Sequence, residues 1–277
     1  MSCSSPFIKI IKPVIVVLAF LVVSTDPLYA GTKLTEVIVV GTVHQNSKEY
    51  TANDLLRILK TVHPDLILCE RDSSFFTDDF KFNHLFGGLE ETAICEYMKT
   101  EQAMLRPYDI EGRNDFYREH DTFNLEDKLY QQVRELAKTR KLNTNSQAIF
   151  NNMIECFKKR DAFGKANPRR INSFDCDQAL AEKWYAIDYG YSEIIRQTPD
   201  LQVYNDFHLQ NRSFELQRNN AMVTNIVSHI RAFQGKRILV VCGFEHRHFL
   251  RIQLNFIQGS SFSVKEYWEY GEAPSSK

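Results

Sequence analysis

Two apolar runs constrain the fold more than any other feature, and the first of them is rich in β-branched residues. The first covers residues 34–40 and ends at Gly41, and the second covers residues 65–69 and ends at Glu70. Runs of this length and composition predict strands buried on both faces. Between them, a capping box at Thr51 and a helically spaced apolar stripe predict a helix. The sequence therefore predicts a β-α-β unit with parallel strands.

Three further strands are predicted, at residues 104–109, 236–242 and 262–267, and helices are predicted at residues 90–99 and 246–257. From Asn114 to about Phe233 the chain has no convincing strand pattern, only segments of helical spacing. We expect an α/β fold, with a mostly parallel sheet flanked by helices and a large helical insertion over about residues 114–233.

Composition narrows the classes of function. Hydrophobic residues make up 43% and charged residues 25% of the chain, which is the balance of a folded globular protein. Lys and Arg number 34 against 35 Asp and Glu, so no excess of positive charge is present to attract nucleic acid. We expect no nucleic-acid partner.

The N-terminus has the pattern of a secretory signal peptide. Lys9 and Lys12 precede an apolar run at residues 14–23, and a small residue, Ala30, stands before Gly31. We predict a signal peptide at residues 1–30 and a single α/β domain at residues 31–277, hence an exported, periplasmic or secreted protein. The alternative is that the segment is retained and holds the protein close to a membrane.

The cysteines of the sequence do not indicate a particular chemistry. Five cysteines follow the predicted signal peptide, an odd number that leaves at least one free thiol, and no C-x-x-C spacing occurs. Cys69 and Cys242 end apolar runs, where a small buried hydrophobe is expected rather than a nucleophile. The disulfide pairing stays open.

Candidate functional residues follow the ends of the predicted strands. Gly41 to His44 and Gly243 to His246 repeat one spacing, Gly-x-x-His, and Glu70 ends another strand. Ligands of parallel sheets bind at the carboxyl ends of the strands, where these groups would meet. Two neutral imidazoles and a carboxylate suit a divalent metal with an open position for water. Asp109, at a third strand end, either supports a histidine or caps the next turn.

The paired motifs, with the acidic strand end PDLILCE, resemble the TraB/PrgY/GumN and Tiki family, within a wider group that includes erythromycin esterases and ChaN-like proteins. Gly88-Leu89-Glu90 looks like the family's G-x-E helix, and Arg218-Asn219 with Met222 looks like its R-N-x-x-M helix. The resemblance covers roughly residues 34–112 and 212–255. One departure is Phe249, which stands where the family often has glycine and would narrow the space there.

The resemblance implies a hydrolase of peptide or ester bonds that depends on a divalent metal such as Mn, Co or Zn. The residues carried over are His44 and His246 as metal ligands, Glu70 or Glu90 as a further ligand or proton acceptor, Arg218 as oxyanion stabiliser and Asn219 to orient substrate or a ligand. His248 is less suited as a ligand, because it lies two residues from His246 on a helix. A metal brings the pKa of bound water to about 7, which would generate hydroxide.

Two other classes of protein stay open. The same pocket could bind haem, iron or a signalling peptide without turnover, which the ChaN-like relatives make reasonable. A regulator with a decayed site would show neither metal nor turnover. Motifs of serine hydrolases, zincins and nucleotide-binding proteins are not found in the sequence.

Overall fold

A computed structural model describes residues 33–271. Its sheet has five parallel strands in the order β3-β2-β4-β1-β5. The strands are β1 (Thr35–Thr42), β2 (Leu66–Cys69), β3 (Met104–Pro107), β4 (Arg237–Gly243) and β5 (Phe262–Lys265). The predicted parallel α/β sheet is confirmed.

Helices flank the sheet and fill the middle of the chain. They are α1 (Ala52–Val62), α2 (Leu89–Met98), α3 (Arg113–Glu119), α4 (Thr122–Lys138), α5 (Thr144–Gly164), α6 (Pro168–Ile171), α7 (Phe174–Gln197), α8 (Asn205–Ala232) and α9 (Phe244–Ile257). Between β3 and β4 the structure has only helices, turns and loops, which agrees with the predicted helical character of this region. Helix α9 begins at Phe244, two residues earlier than predicted, because Gly243 is its N-cap. His246 therefore lies in the first turn of a helix.

The two faces of the sheet bury different helices, because successive strand residues point to opposite sides. One face, with Ile38 and Val40 of β1, packs against α1 and α2. The other face, with Val37 and Val39, packs against the C-terminal half of α8 and against α9. Met222, Ile226 and Ile230 of α8 thus pack on this face of the sheet.

The helical insertion has a core of its own, formed by α4, α5 and α7. This core contains Leu129, Val133, Met153 and Ile194, all at most 2% exposed. Polar contacts fix the insertion over the carboxyl edge of the sheet. Glu245, at the start of α9, accepts a hydrogen bond of 2.7 Å from Arg160 of α5 and pairs with Lys183 of α7.

The five cysteines in the described part of the chain are all free thiols. Cys69 and Cys242 are buried at the ends of β2 and β4, and burial raises the pKa of each thiol. This environment agrees with the predicted role of these two residues as small core residues.

Within residues 33–271, no helix has both the length and the hydropathy needed to cross a bilayer. The predicted signal peptide, residues 1–30, lies outside the described residues.

Candidate functional site

The carboxyl ends of four adjacent strands bring the predicted site residues to one edge of the sheet. His44 follows β1, Glu70 follows β2, Asp109 follows β3 and His246 follows β4. Helix α8 crosses this edge and adds Arg218. A cleft of about 380 Å³ separates the edge from the insertion, and His44, Arg218 and His246 line it.

His44 is held in place by Glu90. The backbone of His44 is left-handed, with φ of 63°, and its carbonyl accepts a hydrogen bond of 2.9 Å from Leu89 at the start of α2. This contact brings α2 close enough for Nδ1 of His44 to donate to the Glu90 carboxylate at 2.8 Å. No hydrogen bond within residues 33–271 engages Nε2, and half of the side chain is exposed. The ring is therefore oriented at one nitrogen and free at the other.

The pairing with Glu90 changes the acidity of both groups. Burial of His44 opposes its protonation, but the hydrogen bond and negative charge of Glu90 outweigh that effect and raise the pKa of His44. Burial of Glu90 opposes its ionisation, but the hydrogen bonds from His44 and Thr42 lower its pKa. Glu90 is therefore a carboxylate at neutral pH, and it makes His44 a stronger base.

Arg218 joins three of the strand ends. Its guanidinium donates two hydrogen bonds of 2.9 Å to the two oxygens of Asp109 and one of 2.6 Å to Glu70. Arg218 is 5% exposed and both carboxylates are buried. The carboxylate of Asp109 therefore binds Arg218 and does not support a histidine. It also accepts from the backbone N–H of Ile110, as a cap of the following turn would.

Glu70 is fully engaged as an ionised carboxylate. One oxygen accepts from Arg218, and the other accepts a hydrogen bond of 2.6 Å from the backbone N–H of Gly243. Burial opposes ionisation of Glu70, but the charged groups around it and the Gly243 N–H bring its pKa to about 2. A carboxylate with so low a pKa is a poor proton acceptor at neutral pH.

His246 has partners at both ring nitrogens. Arg218 donates to Nε2 at 3.1 Å, and the Asn219 side-chain oxygen lies 2.9 Å from Nδ1. Because a guanidinium is only a donor and this amide oxygen only an acceptor, these partners assign the neutral tautomer with its proton on Nδ1. Burial lowers the pKa of His246, which agrees with a neutral ring. Asn219 thus orients His246, where the sequence predicted that it would orient substrate or a ligand.

The predicted metal ligands do not fit a divalent cation in this arrangement. The lone pair of His246 faces Arg218, and both oxygens of Glu70 accept hydrogen bonds. A divalent cation at this point would also lie beside the positive guanidinium, which repels it. Within residues 33–271, no group of three or more His, Cys, Asp and Glu side chains is arranged to hold a metal ion.

Three residues of the site were not predicted. The hydroxyl of Thr42 donates to Glu90, Tyr117 accepts from Arg218 at 3.3 Å, and Tyr117 donates to Glu215 at 2.5 Å. Thr42 lies inside the first Gly-x-x-His motif, and Glu215 lies one helical turn before Arg218. Both residues could therefore have been predicted from their place in the sequence. Tyr117 lies in the insertion, where no motif marked it.

The first turn of α9 forms another wall of the cleft, with Gly243 to His246 among its lining residues. The first backbone N–H groups of a helix have no partner within the helix, and Gly243, as N-cap, offers no side-chain acceptor. Glu70 accepts from the Gly243 N–H, and Arg160 and Lys183 neutralise Glu245, so the N–H groups that follow Gly243 are the part of this wall suited to negative charge.

Comparisons with known proteins give no relative. Neither a protein-family model, nor a curated protein, nor a solved structure matches this chain.

Proposed function

We propose that the protein hydrolyses ester or peptide bonds, with His44 as the general base and Glu90 as the carboxylate that orients it. The observation that carries this proposal is the half-exposed imidazole of His44, held at Nδ1 by buried Glu90 and free at Nε2. A histidine fixed by a carboxylate at one nitrogen presents the other to a water molecule or substrate in a defined tautomer.

The reaction would begin with water at Nε2 of His44. The imidazole takes a proton from the water while the oxygen attacks the carbonyl carbon of the substrate. The electron pair of the carbonyl bond moves to its oxygen, which becomes negative. When this intermediate collapses, the bond to the alcohol or amine breaks, and His44 returns the proton to the leaving group.

Two features of the cleft support stabilisation of the negative oxygen. The guanidinium of Arg218 lines the cleft, and so does the first turn of α9. Donors that are already in place act on charge that develops during the reaction without having to reorganise. The five N–H groups of Arg218 already donate to Asp109, Glu70, Tyr117 and His246, so Arg218 acts on the oxygen through its fixed positive charge, and the backbone N–H groups of α9 are the donors.

Membership of the TraB/Tiki-like group is part of the proposal. It is supported by the convergence in one place of the six residues that carry the resemblance: His44, Glu70, Glu90, Arg218, Asn219 and His246. Export through the predicted signal peptide and the need for Mn, Co or Zn stay predictions. The chemistry proposed for His44 and Glu90 does not assign a role to a metal.

The test is hydrolysis of p-nitrophenyl esters and of a peptide panel by wild type and by His44→Asn. Asparagine tolerates the left-handed backbone of His44, so the substitution removes the imidazole with little strain. We expect a rate loss of about 100-fold or more. The matched control is His63→Asn, since His63 also has a left-handed backbone, with φ of 48°, but precedes β2 at the opposite end of the sheet. A wild-type rate in His44→Asn, or no hydrolysis by wild type, would refute the proposal.

A second candidate function, non-catalytic binding of haem or iron, rests on His248. Its Nδ1 donates to the backbone carbonyl of Glu245 at 2.9 Å, and its ring lines a second cavity of about 720 Å³. Cofactor pockets are typically about 300–1,000 Å³. Haem binding predicts a Soret band on titration that is lost in His248→Ala, and no band at micromolar haem removes this candidate.

A further inference from the structure

The second cavity adjoins the cleft at His44. It lies between α4, α5, α7, α8 and the start of α9. Phe123, Glu126, Trp184 and Glu215 line both spaces, so the two lie side by side. His44 lines the cleft but is not among the residues of the cavity. A molecule with its reactive bond at His44 could therefore extend into the cavity.

The walls of the cavity are rich in aromatic rings. Tyr130, Phe157, Trp184 and Tyr191 contribute from the insertion, and Phe249 contributes from α9. Phe249 occupies the position where the resembling family often has glycine, so this departure supplies part of an apolar wall. An apolar body of a ligand would lose its contact with water here, which favours binding.

The charge of the cavity is negative. Six carboxylate side chains and three cationic side chains line it. The cations already have partners, since Arg160 and Lys183 pair with Glu245 and Arg212 lies 3.3 Å from Asp188. The two histidines of the cavity add no positive charge at neutral pH, because burial lowers the pKa of each to about 4.

Glu126 is the carboxylate best placed to meet a ligand. It lies where the cleft and the cavity join, and its only hydrogen bond within residues 33–271 comes from the Asn211 amide at 2.7 Å. No cationic side chain of the described residues pairs with it. The residue is exposed to solvent, but the protein atoms around its carboxyl still raise the pKa of Glu126. A cationic ligand group would supply the missing counter-charge.

We infer that the cavity selects ligands with an apolar body and a cationic group, such as an aryl-alkyl amine, whose ammonium pairs with Glu126. In its link to hydrolysis this inference rests on the proposed function, because the same ligand would carry the ester or peptide bond cleaved at His44. Binding in the cavity does not depend on that chemistry.

The experiment is titration calorimetry of the whole chain with three probes that share one apolar body: 4-phenylbutylamine, 4-phenylbutanol and 5-phenylpentanoate. We expect the amine to bind at least about tenfold more tightly than the alcohol, and the carboxylate to bind most weakly. Glu126→Gln should reduce amine affinity about tenfold and leave alcohol affinity unchanged. Glu135→Gln, on the same helix but outside the cavity, is the matched control and should bind all three probes like wild type.

The inference is overturned if the amine binds no more tightly than the alcohol, if Glu126→Gln has no effect, or if none of the probes binds. His44→Asn separates it from the proposed function, because that variant should bind the amine normally. Amine binding that depends on Glu126, in a protein that hydrolyses no ester or peptide, would refute the proposed function alone.

Discussion

The imidazole of His44 lies over the α-carbon of Gly243, so that a Cβ atom at Gly243 would lie 2.5 Å from Nε2. Gly41 of the first motif lies equally close to the second motif, because a Cβ at Gly41 would lie 2.9 Å from the α-carbon of Phe244. Strands β1 and β4 are parallel neighbours, with Thr42 opposite Gly243. In each Gly-x-x-His motif, the absence of a Cβ at the glycine leaves space for a residue of the other motif. This close approach explains why both motifs begin with glycine.

Gly243→Ala is expected to slow hydrolysis about 100-fold while leaving the fold intact. The atoms that would have to move belong to the end of the half-exposed His44 side chain, so the strain falls on the hydrogen bond between His44 and Glu90 and not on the backbone. A displacement of about 1 Å in a catalytic group can cost about 100-fold in rate. Ester hydrolysis and thermal unfolding of the variant measure the two effects separately.

Gly41→Ala is the matched comparison and should act on stability. The added Cβ meets the backbone of Phe244 and the buried side chain of Arg247, neither of which can move freely. We expect the free energy of unfolding to fall by about 1–3 kcal/mol. A fully active Gly243→Ala, or a Gly41→Ala of wild-type stability, would contradict the roles assigned to the two glycines.

Glu90→Gln is expected to move the pH profile of hydrolysis. The general base must be neutral, so kcat/KM should rise with pH through the pKa of His44, which Glu90 raises above 6.5. Glutamine can still accept from Nδ1 but has no charge, so the apparent pKa should fall and the plateau rate should drop at least about tenfold. The measurement is kcat/KM against pH for both proteins. A plateau and midpoint equal to those of wild type would mean that Glu90 does not act on His44.

The sheet was predictable because its strands have a recognisable sequence pattern. Residues 37–40 and 238–241 are continuously apolar, and strands buried on both faces require this. The β-α-β unit at the start followed from a helix stripe between two such runs. The ends of the helices were harder to predict from the sequence. The start of α9, for example, depends on the backbone of Gly243 and not on any apolar pattern.

The site was predictable in its members but not in its pairings. Motifs at strand ends identified His44, Glu70 and His246, because the carboxyl ends of parallel strands meet, and the family resemblance added Glu90. Which group faces which nitrogen depends on how α8 is rotated over the sheet. Arg218 lies 28 residues before His246 in the chain, and only the packing of α8 brings its guanidinium to Nε2. A sequence pattern holds no information about that rotation.

Arg218→Met is expected to destabilise the protein strongly. It removes the cation from buried Glu70 and leaves buried Asp109 with Arg113 alone, and removal of one partner from a buried ion pair costs about 3–5 kcal/mol. Arg231→Met, on the exposed face of the same helix, is the control and should change stability by less than about 0.5 kcal/mol. Chemical denaturation measures both. Equal stabilities of the two variants would show that the contacts of Arg218 contribute nothing net.

Acid should destabilise the protein through Glu70. Its pKa is about 2 in the folded protein against 4.5 for an ordinary glutamate, so the stability it contributes is fully present above pH 4.5 and is lost as pH falls towards 2. A shift of this size corresponds to about 3 kcal/mol. Unfolding free energies of wild type and Glu70→Gln should therefore converge as the pH falls through this range. Parallel curves would mean that Glu70 does not titrate in this way.

Chelation is expected to leave hydrolysis unchanged. His246 and Glu70 are engaged by Arg218, Asn219 and Gly243, so the proposed chemistry of His44 does not draw on a metal held by them. The measurement is ester hydrolysis after treatment with EDTA and after addition of Mn, Co or Zn, together with the metal content per chain.

His44→Ala and His246→Ala are measured alongside, because the metal prediction requires both to lose bound metal. If activity falls with EDTA, returns with one of these metals and depends on both histidines, the metal-dependent mechanism of the sequence prediction replaces the one proposed for His44 and Glu90. Arg218 would then have to leave Nε2 of His246 whenever the metal binds.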